Sequence, residues 1–271
     1  MSDIQEKARA TSDTIRIEVA KKFDEIKTEP NEPVKNRIRF GTNPVLPYSI
    51  EEAVNRLRIN ISFLGSDVKK IMVVSSEPNE GKSFIAMNLW RQMAKAGEPS
   101  ILVDLDMRKS NLVNKYQIQR EDGAELKGTS HYLSGSESIE DMILQTELEH
   151  GDLLPNVDNI VNPSMLFESR KFTEMMQYVS EHYRYVFIDV PPLGLVSDAE
   201  LIGNMCDGAV LCVRSGVTSR NIVRHSVQQL ERAGCPLLGI VLNRTGGAFG
   251  KYYGKKYYGR KYYYNDQYYS R

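Results

Sequence analysis

The stretch from Ile71 to Ala94 restricts the fold more than any other part of the chain. An apolar, β-branched run, Ile71-Met72-Val73-Val74, leads into the loop Ser75-Ser76-Glu77-Pro78-Asn79-Glu80-Gly81-Lys82-Ser83, and a helical pattern from Phe84 follows. Strand, loop and helix in this order form a P-loop context. Loop N–H groups and the positive end of the helix converge on one spot and favour phosphate there. Lys82 is placed to reach the outer phosphates, and the Ser83 hydroxyl to ligate magnesium. The expected phosphate-binding stretch is therefore Pro78, Asn79, Glu80, Gly81, Lys82, Ser83 and Phe84. Two glycines of the common pattern are replaced, by Ser76 and Asn79. Asparagine tolerates left-handed backbone, so the second replacement costs little.

Beyond the loop, short β-branched runs alternate with longer helical patterns: SILVDLD, YVFIDV, GAVLCV, a helix from Ser219 to Ala233, and LLGIVLN. This alternation predicts an α/β protein of the P-loop NTPase kind, with a mostly parallel central sheet flanked by helices. The runs read as apolar on both faces, as strands covered from both sides should be. Ligands in such sheets bind beyond the carboxyl ends of the strands. Two strands end there in carboxylates, ILVDLD in Asp104 and Asp106 and YVFID in Asp189. Each alone could be a helix cap or half of a salt bridge. Three at one edge, beside a P-loop, point to a magnesium-phosphate site, because buried carboxylates are costly without a cation or donors.

At 271 residues, 41% apolar and 26% charged, the chain is long enough for one α/β domain with appendages. Its formal net charge is +0, which gives the whole protein no electrostatic reason to seek nucleic acid. Cys206, Cys212 and Cys235 lie in apolar surroundings without metal-ligand spacing and read as inert buried thiols. The sequence lacks an apolar run long enough to cross a bilayer and lacks a leader-like start, so a cytoplasmic location is expected.

Residues 1–48 read as an extension and linker, with an amphipathic helix over about 11–27 and a Pro-rich, charged stretch after it. Residues 49–248 read as the nucleotide-binding domain. Its first helix is expected to open at Ser49 with a capping box to Glu52 and to turn Val54, Leu57, Ile61 and Leu64 to one face. Residues 249–271 read as a disordered tail. It carries Tyr252, Tyr253, Tyr257, Tyr258, Tyr262, Tyr263, Tyr264, Tyr268 and Tyr269 among six Lys or Arg and one Asp, a charge of six minus one, or +5. Mixed aromatic and basic residues suit either a kinase substrate or a sequence-tolerant single-stranded nucleic-acid binder.

Together these motifs resemble the bacterial tyrosine kinases of capsular and exopolysaccharide biosynthesis, in the arrangement with a separate cytoplasmic kinase subunit. The resemblance covers about Ile50 to the C-terminus. It is carried by PNEGKS, ILVDLDMRK, FIDVPP with Val196-Ser197-Asp198-Ala199, Asn162-Pro163-Ser164, LKGTSHYLSG, GIVLNRT and the tyrosine-rich tail.

The resemblance implies ATP and Mg2+ as cofactors, with Lys82 and Ser83 on phosphates and magnesium. It implies Asp104 as acceptor of the tyrosine proton with a share in metal binding, Asp106 assisting, and Asp189 holding the metal. It implies the nine tail tyrosines as autophosphorylation sites, which tips the tail towards a kinase substrate. It further implies self-association, a transmembrane activator that is also a polysaccharide co-polymerase subunit, a cognate tyrosine phosphatase, and attachment to the inner membrane face through the partner. The family's helical contact motif is represented by Glu52 and Arg58, but Asn55 stands where its first arginine belongs, and Arg56 is displaced by about 100° round the helix.

Rival readings are a partitioning or positioning ATPase of related fold and an ATP-switched scaffold that transfers no phosphate. The first would carry an extra lysine where this chain has Glu77.

Overall fold

The computed structural model describes residues 36–135 and 137–245. The expected helix over about 11–27 and the tyrosine-rich tail lie outside the described residues. The main sheet has seven strands in the order β5-β6-β3-β7-β2-β8-β9. They are β2 (Lys70–Ser75), β3 (Ser100–Asp104), β5 (Leu144–Gln145), β6 (Gly151–Leu154), β7 (Tyr185–Asp189), β8 (Gly208–Arg214) and β9 (Leu237–Asn243). All neighbours pair in parallel except β5, which runs antiparallel to β6 at one edge.

Every residue of β3 and β7 is buried. Helix α2 (Lys82–Lys95) covers one face together with α1 (Tyr48–Ser62), and its Trp90 is wholly buried with Nε1 donating to the Ser100 carbonyl. The opposite face packs under α7 (Arg170–His182), α8 (Asp198–Gly203) and α9 (Arg220–Arg232). Burying each of the many Val, Ile and Leu side chains between these layers contributes about 1.5–3 kcal/mol.

Three expectations need correction. Helix α1 begins at Tyr48, not Ser49, and no side chain caps it, so the capping box does not form. The helix stops at Ser62, which leaves Val54 and Ile61 in the core but Leu64 exposed. Strand β9 is an edge strand, with Ile240 and Leu242 about half exposed, because only β8 pairs with it.

A small second sheet was not foreseen: β1 (Ile38–Phe40) pairs antiparallel with β4 (Ile118–Arg120), just after the short helix α3 (Leu112–Tyr116). It brings residues 38–40, expected in the linker, into the fold, and Ile38 is fully buried. Arg91 of α2 lies over the rings of Phe40 and Tyr116 at 4.7 and 5.4 Å and donates to Asn43. Strands of three residues are too short for alternation to register, which is why this sheet is silent in the sequence.

Gly128 precedes the short helix α4 (Thr129–Leu133) and runs against the end of β6: a Cβ there would lie 1.8 Å from the Pro155 carbonyl oxygen. Gly128→Ala is therefore expected to destabilise the protein by about 1–3 kcal/mol, measurable by urea unfolding. Unchanged stability would mean that the α4 and β6 backbones do not approach this closely.

Candidate active site

Strand register brings the site together. In the β3–β7 pair Asp104 is the partner of Asp189, and in the β2–β7 pair Asp189 is the partner of Val73, two residues before β2 ends at the P-loop. Two carboxylates and a phosphate-type loop thus meet at one edge.

The loop adopts the backbone its residues were expected to permit. Asn79 has φ 62° and Gly81 has φ 99°, both left-handed. At Gly81 a larger residue would be strained by φ and would displace Asn243, whose Nδ2 would sit 2.1 Å from an added Cβ. That amide donates to the Glu80 carbonyl at 2.8 Å, so the end of β9 braces the loop. The Glu80 side chain is buried and turned inward, accepting from the amides of Glu77 (2.9 Å) and Arg214 (3.1 Å) and from the Thr218 hydroxyl. Glu80 thus offers phosphate its backbone only, and its carboxylate is an internal tie. Pro78 sits in the exposed arm of the loop, while Phe84 packs against the core formed by α2 and its neighbours. Ser76, in place of the first glycine, is buried and accepts from the Ser226 hydroxyl of α9 at 2.9 Å.

Lys82 is the electrostatic centre. Its ammonium donates to Asp106 at 2.8 Å and to Asp189 at 3.3 Å, with the Ser83 hydroxyl 3.4 Å away. Burial alone would lower its pKa, but the carboxylates of Asp189 and Asp106 more than offset this, and the net shift is upward. Ser83 also hydrogen-bonds the Asp189 carboxylate. Asp106 is further held by the Lys109 amide at 3.2 Å.

Asp104 is fully buried. One oxygen accepts from the Asp106 amide (3.1 Å) and the other from the Ser110 hydroxyl (2.5 Å). Burial, then the neighbouring Asp189 charge, pushes its pKa up to about 7, against the opposing pull of Ser110 and Lys82. Burial likewise raises the pKa of Asp189, with Lys82 opposing. The Thr129 hydroxyl joins the Asp104 and Pro155 carbonyls at 2.8 and 2.9 Å. Ser110, Thr129 and Asn243 were given no role from the sequence, although Thr129 and Asn243 fall within LKGTSHYLSG and GIVLNRT, two of the segments that carry the resemblance.

Three carboxylates share one lysine, an excess of negative charge that a bound divalent cation would relieve. The Ser83 hydroxyl and the Asp189 carboxylate beside it offer the one or two protein oxygens that magnesium takes, the rest of its shell being phosphate and water. The residues present therefore fit magnesium with a nucleotide.

Glu52 and Arg58, expected from the resemblance to make subunit contacts, lie apart from this cluster, on α1. Glu52 accepts from Arg56 at 3.3 Å, and Arg58 donates to Asn55 at 3.0 Å, so the displaced arginine is engaged within its own helix. All three cysteines are buried and unpaired, and burial raises each thiol's pKa, as inert thiols require.

The raised Asp104 pKa has a consequence for stability. Its folded value, about 7, exceeds the usual 3.8, so the folded state holds this proton more tightly. Its contribution is complete below about pH 4 and is lost as pH rises through about 7. In nucleotide-free protein, Asp104→Asn is expected to raise Tm relative to wild type at pH 8, with the gain shrinking to nothing towards pH 4. A Tm difference that does not vary with pH would contradict a protonated Asp104.

Comparison with known proteins agrees with this geometry. The AAA domain model matches residues 68–215. The tyrosine-protein kinase CpsD of Streptococcus agalactiae serotype III is 34% identical over 202 residues, covering 74% of this chain and 85% of that protein. The kinase domain of the Escherichia coli tyrosine kinase ETK superposes with TM-score 0.67 at 25% identity, covering 74% of this chain and 81% of that domain. The septum site-determining protein MinD of Pyrococcus horikoshii, solved with Mg-ADP, shares the fold at TM-score 0.55 and 24% identity, over 66% of this chain and 71% of its own. Residues of a nucleotide-binding P-loop, strand-end carboxylates in register and the CpsD likeness lead to one assignment: the chain belongs to the capsule-type family of bacterial tyrosine kinases.

Proposed function

We propose that this tyrosine kinase phosphorylates its own C-terminal tyrosine cluster and thereby regulates the synthesis and export of a surface polysaccharide. The observation that carries the reading is the meeting of Lys82 with Asp106 and Asp189 at the P-loop, on the strand edge where Asp104 also ends. In this reading the amides of residues 78–84 and the Lys82 ammonium hold the phosphates of ATP, while Ser83 and Asp189, with Asp104 alongside, hold Mg2+. Magnesium-ATP, when bound, supplies the phosphoryl group and neutralises its charge.

A phenol with a pKa of about 10 is a poor nucleophile at neutral pH. Asp104, at the strand end beside Asp189, is placed to receive its proton once its bond to Ser110 opens. The tyrosine oxygen then bonds to the γ-phosphorus as the bond to the β-phosphate oxygen breaks, leaving ADP. Asp106 assists by holding Lys82 in place.

Among the described residues no helix is long and apolar enough to cross a membrane. The proposed setting is the cytoplasm, peripheral to the inner membrane face through a transmembrane activator of the co-polymerase type, with self-association and a cognate tyrosine phosphatase. Against the partitioning ATPase stands Glu77, an acid where a second phosphate-seeking lysine would be needed. Against a non-catalytic scaffold stands the intact set of Lys82 and three aspartates.

Incubation with labelled ATP should give acid-stable label on tyrosine. Lys82→Met and Asp189→Asn are each expected to lower it about 100-fold or more with the fold retained by circular dichroism. Wild-type labelling in either variant, at saturating magnesium-ATP, would remove the site assignment.

Removing residues after Phe249 is expected to leave ATP binding unchanged and abolish most self-labelling. Each phosphate adds about −1.5 to −2 charges, so roughly three would cancel the tail's positive charge. Any ATP-dependent change in oligomer mass, followed by light scattering, should vanish with the tail. Full self-labelling by the truncated chain would show that the tail is not the main substrate.

A further inference from the structure

Three segments that stand out in the sequence have so far no chemistry: Met107-Arg108-Lys109, Asn162-Pro163-Ser164 and Val196-Ser197-Asp198-Ala199. In the fold they converge on one carboxylate. Asp198, the first residue of α8, is fully buried. Its Oδ2 accepts from Arg108 Nε at 2.5 Å, and its Oδ1 accepts from Arg108 NH2 at 3.1 Å and from the Ser164 hydroxyl at 2.8 Å. The same guanidinium donates through NH1 to the Val161 carbonyl at 2.8 Å, so three of its nitrogens are engaged. A buried carboxylate is tolerated only with such a full set of donors, and the two-point fork fixes orientation as well as distance.

The three segments are the chains that leave β3, β6 and β7 at the carboxyl edge. The first directly follows Asp106, which stands two residues before Arg108. The chain leading to the third starts from Asp189. A second bond, from the Ile160 amide to the Met107 carbonyl at 2.7 Å, ties the β6 segment to the same turn. Asp106 is therefore not held by Lys82 alone. Its backbone belongs to a turn closed by Lys109 and anchored through Arg108 to the segment that follows Asp189.

We propose that Arg108 and Asp198 are positioning residues for tyrosine phosphorylation: their ion pair sets the distance of Asp106 from Lys82 while touching neither nucleotide nor tyrosine. This rests on the assignment of Lys82 and Asp106 to the phosphotransfer site. Arg108 is about one-third exposed, so replacing it leaves little buried volume behind. Lysine keeps the charge but loses the fork.

The test compares Arg108→Gln, Arg108→Lys and Asp198→Asn in the full-length chain, using magnesium-ATP and labelling of tail tyrosines. Arg108→Gln and Asp198→Asn should lower kcat about 10-fold to 100-fold, the loss that a displacement of order 1 Å brings, with KM for ATP within about twofold of wild type. Arg108→Lys should recover part of that loss. Because the pair acts through Asp106, adding Arg108→Gln to Asp106→Asn should lower kcat little further.

A second arm does not depend on catalysis: the amides of Lys109 and Ile160 should exchange hydrogen faster in Arg108→Gln, while those of β3 stay protected. Fully additive losses in the Asp106 background, a fall in ATP affinity matching the fall in kcat, or unchanged exchange at Lys109 and Ile160 would each overturn the proposal. Absence of tyrosine labelling by the wild-type chain would overturn the reaction assignment, and the exchange arm would still decide whether the ion pair holds the turn.

Discussion

One ammonium group reconciles charges that the fold forces together. Parallel pairing of β3 with β7 sets Asp104 beside Asp189, and the turn after β3 adds Asp106, all three buried at one edge. Burial is the main reason the pKa values of Asp104 and Asp189 are raised, and for Asp104 the neighbouring Asp189 charge adds to it. Lys82 answers two of the three directly and cannot answer the rest. The nucleotide-free site thus keeps an excess of negative charge, which a bound divalent cation would relieve. Affinity for such a cation and the cost of the empty site to the fold would share this one cause.

Around that centre, polar side chains buried for structural reasons keep the loop in shape. Glu80 ties the P-loop to β8 and to the Thr218 hydroxyl, and Asn243 closes it from β9. A loop that has exchanged flexible glycines for Ser76 and Asn79 loses some freedom before folding, and therefore less on folding. These contacts then hold it in the one conformation that suits phosphate.

How much of this was legible in the sequence follows from the kind of force involved. The parallel core was readable because long apolar runs and helical periods are local signals, and β2, β3, β7 and β8 fall where those runs place them. The carboxylates were readable because charge at the end of an apolar strand is anomalous. Left-handed Asn79 followed from its own stereochemistry. The capping box at Ser49 failed because Pro47 already starts the helix, and a local pattern cannot show which residue begins the turn. The exposure of β9 is a matter of sheet order, which no residue of the strand encodes. Asp198 on Arg108 depends on a contact between segments far apart in the chain, while Ser110 reaches Asp104 across an irregular turn that has no periodic signal, and single hydroxyls or carboxylates in such places look like any others.

The register of β3 against β7 also bears on how such a chain can change over time. Side chains alternate between the two faces of a strand, so a single residue inserted or deleted within β3 or β7 would turn one aspartate away from the other and carry the apolar set on that strand to the wrong layer. Substitution within these strands can be gradual, but change in their length cannot. Loops outside the sheet can take up added or lost residues, while the spacing from strand start to strand-end carboxylate behaves as one indivisible unit.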